Sequence, residues 1–128
     1  MGEKQSRIKV KREGAVATVW LARPDKRNAF DDEMAKELDA AFERLEDQDD
    51  LRAVILAGEG QHFCAGGDLG WMRRVADYTH EENLEDARGF QDAYERIDQF
   101  PCPVIGRIQG AALGGGAGLN AVCDIAVC

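Results

Sequence analysis

The chain has 128 residues, of which 45% are hydrophobic and 31% charged, a composition typical of one globular domain. Its formal net charge of −8 argues against a general nucleic-acid surface, which needs clustered lysine and arginine. No apolar run is long enough to cross a membrane, and the polar start MGEKQSRIKVKREG is unlike a signal peptide. We therefore expect a cytoplasmic protein that acts neither at a membrane nor on nucleic acid.

The cysteines and histidines do not have the spacing of a metal site. The four cysteines show no CxxC pair, and the two histidines, His62 and His80, have no ligand-like spacing. Reduced, partly buried thiols are the expectation for such a chain, and no metal is predicted. The cysteines are Cys64, Cys102, Cys123 and Cys128.

The first half of the chain predicts a hairpin, a helix and a strand. Residues 8–11 and 16–21 have β-branched apolar content and are separated by REGA, which is typical of a hairpin. A loop, ARPDKRNAF, leads to a helix over residues 32–47, which Asp31 or Asp32 can cap. The short apolar run AVILA at residues 53–57 is typical of a strand covered on both faces.

The second half repeats this rhythm. The loop GEGQHFCAGGDL opens towards a helix near Trp71, and after a break at YTHEEN the apolar spacing predicts a long helix that FPCP stops. A strand over residues 104–108, a helix over 115–122 and a strand within DIAVC follow. Strands that alternate with helices in this way predict an α/β fold with right-handed crossovers. Because the chain stops directly after an apolar strand, we expect it to be the N-terminal part of a longer domain.

Two glycine-containing loops follow predicted parallel strands, namely FCAGGDL at residues 63–69 and GAALGGGAG at residues 110–118. Loops at the carboxyl ends of parallel strands are where α/β proteins bind ligands. Each loop leads into a predicted helix, so its N–H groups lie near the positive end of a helix. Glycine lets a ligand approach the backbone closely. The two loops therefore predict an oxyanion hole made of backbone N–H groups.

The glycine run also admits a different ligand-binding motif or a purely structural role. Residues 116–121 fit the dinucleotide-binding pattern GxGxxA, but the acidic residue expected about 20 positions further on has no counterpart before the chain ends. Neither a P-loop motif nor a GxSxG motif occurs. Close packing of a helix on a sheet, with no ligand, remains open as an alternative.

Four strings in order, RPDKRNAF, HFCAGGDL, PCPVIGRIQGAALGGGAGL and CDIAV, resemble the crotonase (enoyl-CoA hydratase/isomerase) superfamily over nearly the whole chain. The resemblance implies a spiral of ββα units, with this chain as its N-terminal portion. It also implies an acyl-CoA substrate, no cofactor other than that coenzyme A, and a homo-oligomer, either a trimer or a hexamer. The implied reaction is the addition of water to a 2-enoyl-CoA. An isomerase of the same superfamily, or a non-catalytic CoA-binding or assembly subunit, is the alternative.

The resemblance assigns roles to individual residues. The N–H groups of Gly67 and Gly115 would form the oxyanion hole for the thioester oxygen. In the CoA cradle, the Ala65 carbonyl would meet the adenine, the Ala29 backbone would contact the CoA, and Lys26 or Arg27 would pair with its phosphates. The remaining cradle residues would be Gly66, Asp68 and Leu69. Asp68 could instead organise its loop or cap the next helix, and a solvated loop is the alternative for Arg23, Lys26 and Arg27.

The resemblance fails at the acid and base. In well-known hydratases the first of two glutamates lies two residues after the glycine triplet, where this chain has Gly118. The second glutamate would lie beyond Cys128. The segment DLGWMRRVADYTHEENLEDAR and the GGGAGL variant look most like bacterial methylglutaconyl-CoA hydratases of leucine breakdown. Arg73 and Arg74 could then face a distal carboxylate of the substrate, or simply point to water while Trp71, Met72 and Val75 pack.

Overall fold

The computed structural model describes residues 6–128, in which five strands form one sheet in the order β1-β2-β3-β4-β5. Strands β1 and β2 pair antiparallel, and β2 to β5 run parallel to one another. The strands are β1 (Ile8–Glu13), β2 (Val16–Leu21), β3 (Ala53–Gly58), β4 (Val104–Arg107) and β5 (Ile125–Val127). The helices are α1 (Asp32–Glu46), α2 (Leu69–Val75), α3 (His80–Asp98) and α4 (Gly115–Val122). The predicted hairpin and α/β order are confirmed.

The helix boundaries follow from local capping. The buried Asp31 carboxylate accepts a hydrogen bond from the N–H of Met34 (2.9 Å) and thereby caps α1. Thr79 and Glu82 form a reciprocal capping box at the start of α3. This start lies inside YTHEEN, so the predicted break is confined to the residues before His80, and the rest of that string is the first turn of α3. One element was not predicted: a single 3-10 turn, Pro24–Lys26, lies inside the ARPDKRNAF loop.

The core lies between one face of the sheet and the helices. In β2 the side chains of Ala17, Val19 and Leu21 are buried, whereas those between them are half-buried. The same alternation in β3 leaves Ile55 half-buried. Within residues 6–128 the prediction that residues 53–57 are covered on both faces is therefore not met, because Ala53 and Ile55 are only half-buried.

Candidate functional site

Beyond the sheet, backbone hydrogen bonds join three loop segments into a second, irregular parallel layer. The segments are the chain at Phe30, residues 63–68 and residues 112–113. Residues 63–68 lie in the middle of this layer. On one side the Phe30 N–H donates to the Gly66 carbonyl (2.7 Å), and the Asp68 N–H donates to the Phe30 carbonyl (2.9 Å). On the other side the Leu113 N–H donates to the Cys64 carbonyl (3.0 Å). This layer brings the two glycine loops predicted from sequence into direct contact.

The three glycines at positions 114–116 differ in why a side chain is disfavoured or absent there. Gly114 has φ +50° and ψ −116°, and the Gly116 N–H donates to the Leu113 carbonyl (2.8 Å), so Gly114 occupies a tight-turn position that L side chains rarely adopt. A Cβ on Gly116 would lie 2.7 Å from the Cβ and the carbonyl oxygen of Cys64, so α4 can pack here only without a side chain. Gly115, between them, is the first residue of α4 and borders a cavity.

Gly67 reaches the same cavity from the other loop. The preceding Gly66 has φ +109°, and a Cβ on it would lie 3.5 Å from the Leu113 carbonyl oxygen. This conformation lets the 63–68 segment turn towards α2 while it remains in contact with the triplet. A Cβ on Gly67 would meet Met72 Sδ at 3.3 Å, so a side chain here would narrow the cavity.

The cavity has a volume of about 330 Å³, and its wall is largely aromatic and apolar. The Phe30 and Phe90 ring centroids are 5.1 Å apart, and those of Trp71 and Phe90 are 5.0 Å apart. The Trp71 indole N–H is already paired, because it donates to Asp86 (2.8 Å). The lining residues are Phe30, Gly67, Trp71, Met72, Phe90, Tyr94 and Gly115.

Two backbone donors of this wall have no partner in the described chain. Among residues 6–128, no acceptor is hydrogen-bonded to the N–H of Gly67 or of Gly115. The Gly115 N–H is one of the orphan donors at a helix N-terminus, where the helix dipole favours negative charge. Sequence reasoning singled out these two glycines, and the fold puts both at one cavity.

Asp68 stabilises the loop that carries it and the start of α2. Its carboxylate accepts a hydrogen bond from the Trp71 N–H (2.8 Å) and so caps α2, and Arg23 Nη2 lies 3.3 Å from it. The hydrogen bond from Trp71, together with the Arg23 charge, lowers the pKa of Asp68 despite partial burial. Of the alternatives for Asp68, loop organisation and helix capping are thus what the structure contains.

Arg23 is not solvated, which corrects the alternative drawn from sequence. It is largely buried, its guanidinium donates to the Ala29 carbonyl (2.9 Å), and it lies 3.5 Å from the Asp31 carboxylate. Lys26 and Arg27, by contrast, are exposed and make no ion pair within residues 6–128. Sequence reasoning placed all three in one class because a loop pattern does not reveal which cation turns inwards.

Asn28 is a residue that sequence reasoning missed. It is fully buried with φ +55°, its Oδ1 accepts from the Arg23 N–H (2.8 Å), and its Nδ2 donates to the carbonyls of Glu59 and His62 (both 2.9 Å). These bonds hold the 3-10 turn against the loop that follows β3. The asparagine in KRNAF was the available signal, because asparagine tolerates the left-handed conformation.

The other predicted cradle residues surround this layer. The Ala65 N–H donates to the Arg27 carbonyl (3.0 Å), which links the two loops that were expected to hold the CoA. Ala65 and Ala29 are half-buried, and Gly66 is buried. Leu69 is 69% exposed at the start of α2, an unusual position for a leucine. Its exposed side chain is available to a ligand or a protein surface.

Gly118 lies one helical turn beyond Gly115, next to Tyr94 of α3. A Cβ on Gly118 would lie 3.2 Å from Tyr94 Oη and 3.3 Å from Cζ. The Tyr94 hydroxyl donates to the Gly115 carbonyl (3.0 Å). Burial raises the pKa of Tyr94, so the phenol is neutral at physiological pH. The sequence pattern predicts for Tyr94 no role beyond its place in the long helix before FPCP.

The arginines of α2 differ from each other. Both are exposed, but Arg74 Nη2 lies 3.1 Å from Asp32 Oδ1 on α1, whereas Arg73 makes no ion pair within residues 6–128. Trp71 packs as expected, but Met72 is 52% exposed at the cavity mouth.

The acidic and thiol groups near the glycine helix have structural roles. The four cysteines are free, and burial raises the pKa of Cys64 and that of Cys123, the latter to about 11. Asp124, whose carboxylate accepts from the Val104 N–H (2.7 Å), fixes the start of β5 beside β4. Within residues 6–128 no group of three or more candidate ligand side chains could hold a metal ion. No helix in the described range has the length and apolar character needed to cross a bilayer.

Comparison with known proteins identifies the family. The profile of the enoyl-CoA hydratase/isomerase family matches residues 11–128. A Thermus thermophilus protein is 39% identical over 114 residues, and enoyl-CoA hydratase AKT6-1 of Alternaria alternata is 34% identical over 118 residues. The crystal structure of an enoyl-CoA hydratase from Shewanella pealeana superposes with a TM-score of 0.92 at 38% identity.

The chain belongs to the enoyl-CoA hydratase/isomerase family, and its fold is that of the crotonase superfamily. The matches cover 89%, 92% and 94% of this chain but only 45%, 38% and 46% of the respective relatives. The chain therefore spans less than half the length of these proteins.

Proposed function

We propose that the cavity between the two glycine loops binds the thioester group of an acyl-CoA, with the thioester oxygen between the N–H groups of Gly67 and Gly115. The observation that carries this proposal is that Gly67 and Gly115 line one largely apolar cavity and that neither backbone N–H has a partner among residues 6–128. The apolar wall suits an acyl chain, and the donors suit the one atom that gains negative charge. Removal of one such donor typically costs about 2.7–4 kcal/mol in the transition state.

The reaction proposed is the hydration of a 2-enoyl-CoA. The oxygen of water bonds to C3, and the π electrons of the C2=C3 bond move to give an enolate whose charge lies on the thioester oxygen. The attacking water loses one proton to a base, and C2 takes up one proton as the electrons return and the carbonyl reforms. The two N–H groups stabilise the enolate oxygen throughout. The described residues that line the cavity include no carboxylate for either proton transfer.

The CoA portion is proposed to follow the layer of loops. Lys26 and Arg27, which are exposed and make no ion pair within residues 6–128, are suited to its phosphates, and the backbones of Ala29, Ala65 and Gly66 offer polar groups nearby. Asp68 would act indirectly, by fixing the loop that carries Gly67. The exposed Leu69 would cover an apolar part of the ligand.

The finer assignments are also proposals. Because the α2–α3 segment resembles that of bacterial methylglutaconyl-CoA hydratases, we propose 3-methylglutaconyl-CoA as the particular substrate. Arg73 is the arginine available to its distal carboxylate, since Arg74 pairs with Asp32. A cytoplasmic homo-oligomer is proposed on the resemblance alone.

A second candidate function is CoA-thioester binding without hydration, either by an isomerase or by a non-catalytic subunit. The absence of a carboxylate among the described lining residues favours the non-catalytic subunit over either enzyme, because an isomerase also needs one residue to carry the proton. The test measures crotonyl-CoA and 3-methylglutaconyl-CoA hydration by the whole protein, followed by loss of the conjugated thioester absorbance, in parallel with calorimetric binding of butyryl-CoA. Binding with hydration supports the hydratase, binding without hydration supports the second candidate, and no binding contradicts both.

A further inference from the structure

Among the described residues that line the cavity, Tyr94 is the one with a hydroxyl side chain. The other lining residues in the described chain are glycines, aromatics without a free donor, and a methionine. The Trp71 indole N–H is used by Asp86, so it does not serve a ligand in the cavity. Any side-chain hydrogen bond that these lining residues make to a polar group in the cavity therefore involves Tyr94.

The Tyr94 oxygen retains its acceptor capacity. A phenol has one proton and two lone pairs, and the proton is donated to the Gly115 carbonyl at 3.0 Å. No other partner of Oη occurs among residues 6–128. The ring is held nearly parallel to Phe30, with centroids 6.3 Å apart, so the oxygen has a fixed position.

That position lies over the first turn of α4. Oη is 3.3 Å from where a Cβ on Gly115 would be and 3.2 Å from where one on Gly118 would be. A side chain at either position would press on the hydroxyl. Glycine at 115 and at 118 therefore keeps the phenol oxygen in place at the cavity.

We propose that Tyr94 is a positioning residue, whose oxygen accepts a hydrogen bond from the hydroxyl or water at C3 of the bound acyl group. The inference rests on the proposed function. A thioester oxygen at the Gly115 N–H puts C3 only three bonds away, on the side of the cavity where Tyr94 contacts Gly115. Because burial keeps the phenol protonated, it orients water and does not abstract its proton.

The experiment compares the dissociation constants of butyryl-CoA and of each enantiomer of 3-hydroxybutyryl-CoA, measured by calorimetry on the whole protein. For each enantiomer, the ratio of the butyryl-CoA dissociation constant to that of the 3-hydroxybutyryl-CoA isolates the contribution of the 3-hydroxyl group to binding. Tyr94→Phe keeps the ring and removes the hydroxyl, and Tyr78→Phe, outside the cavity wall, is the matched control. For one enantiomer we expect the preference for the hydroxylated ligand to fall by about two- to tenfold in Tyr94→Phe and to stay unchanged in Tyr78→Phe.

A second variant covers the case in which Tyr94→Phe does not fold. Gly118→Ala puts a Cβ against Oη and is expected to lower the same ratio by displacing the phenol. An unchanged ratio in the folded variants, with butyryl-CoA still bound, overturns the inference and leaves the proposed thioester site intact. Failure of the unaltered protein to bind either thioester contradicts the proposed function, and the inference falls with it.

Discussion

The guanidinium of Arg23 lies 3.3 Å from the Asp68 carboxylate and ties the turn after β2 to the first residues of α2. Asp68 also caps α2 through the Trp71 N–H, and Gly67, which is proposed to bind the thioester oxygen, immediately precedes it. The ion pair therefore stabilises the loop conformation on which one of the two proposed donors depends.

Asp68 is expected to make folding stability depend on pH. Its pKa is lowered in the folded protein, so its contribution is present above the unfolded value of about 3.9 and is lost as the pH falls through the lower folded value. Asp68→Asn keeps a cap but removes the charge. The difference in free energy of unfolding between the unaltered protein and this variant should be constant near neutral pH and shrink towards acid pH. A pH-independent difference in urea titrations would contradict this account.

Asn28 is expected to be critical for stability. Asn28→Ala leaves the Arg23 N–H and two carbonyls without their partners and retains a left-handed backbone, so we expect a loss of at least about 2 kcal/mol in chemical denaturation. Arg27→Ala is the matched control, because Arg27 has a similar φ of +52° but an exposed side chain. Its effect should stay within about 1 kcal/mol. Equal effects of the two substitutions would show that backbone conformation, not buried hydrogen bonding, dominates.

Two glycines of α4 should differ in how strongly alanine destabilises the protein. At Gly116 a Cβ would lie 2.7 Å from Cys64 backbone and side-chain atoms, so Gly116→Ala should destabilise by about 1–3 kcal/mol through overpacking. At Gly118 the contact is with a phenol that can give way, and alanine gains about 1 kcal/mol in helix propensity. We therefore expect Gly118→Ala to change the free energy of unfolding by less than about 1 kcal/mol. Similar losses at both positions, measured by thermal and urea unfolding, would argue against this packing analysis.

Lys26 and Arg27 are expected to act on the CoA phosphates. The double substitution Lys26→Ala, Arg27→Ala should weaken butyryl-CoA binding about threefold per cation, and the loss should diminish as salt is added. Binding of a butyryl thioester of N-acetylcysteamine, which has no phosphate, should not change. The double substitution Lys9→Ala, Lys11→Ala, at two exposed lysines of β1, removes the same number of charges and serves as the control for net charge. An equal loss of affinity for butyryl-CoA and for the N-acetylcysteamine thioester would contradict a role of these two residues in binding the phosphates.

The elements of this fold were predictable wherever local chemistry decides the structure. The cap at Asp31 and the helix at 115–122 follow from short-range patterns of capping and spacing, and both agree with the structure. The coverage of β3 was mispredicted because an apolar run does not tell which face is packed within the described chain.

The site was predictable only in part. Glycine-rich loops after parallel strands indicated that the two loops would meet, and the family resemblance pointed to Gly67 and Gly115 within them. The pairing of residues 63–68 with Phe30, by contrast, is a long-range interaction without a local pattern. For the same reason the approach of Tyr94 to Gly118, from a different helix, could not be read from spacing. The roles assigned to the cradle residues stay predictions.

The most direct test of the proposed oxyanion hole is the infrared stretching frequency of a ¹³C-labelled thioester carbonyl in bound butyryl-CoA. Gly115→Pro removes the N–H at the first helical position, where proline is tolerated, and Gly115→Ala keeps it. Circular dichroism confirms that both variants fold. We predict that binding lowers the carbonyl stretching frequency in the unaltered protein and in Gly115→Ala, and that this shift is much smaller in Gly115→Pro. An equally large shift in Gly115→Pro, with the ligand bound, would contradict the assignment of Gly115 as a donor to the thioester oxygen.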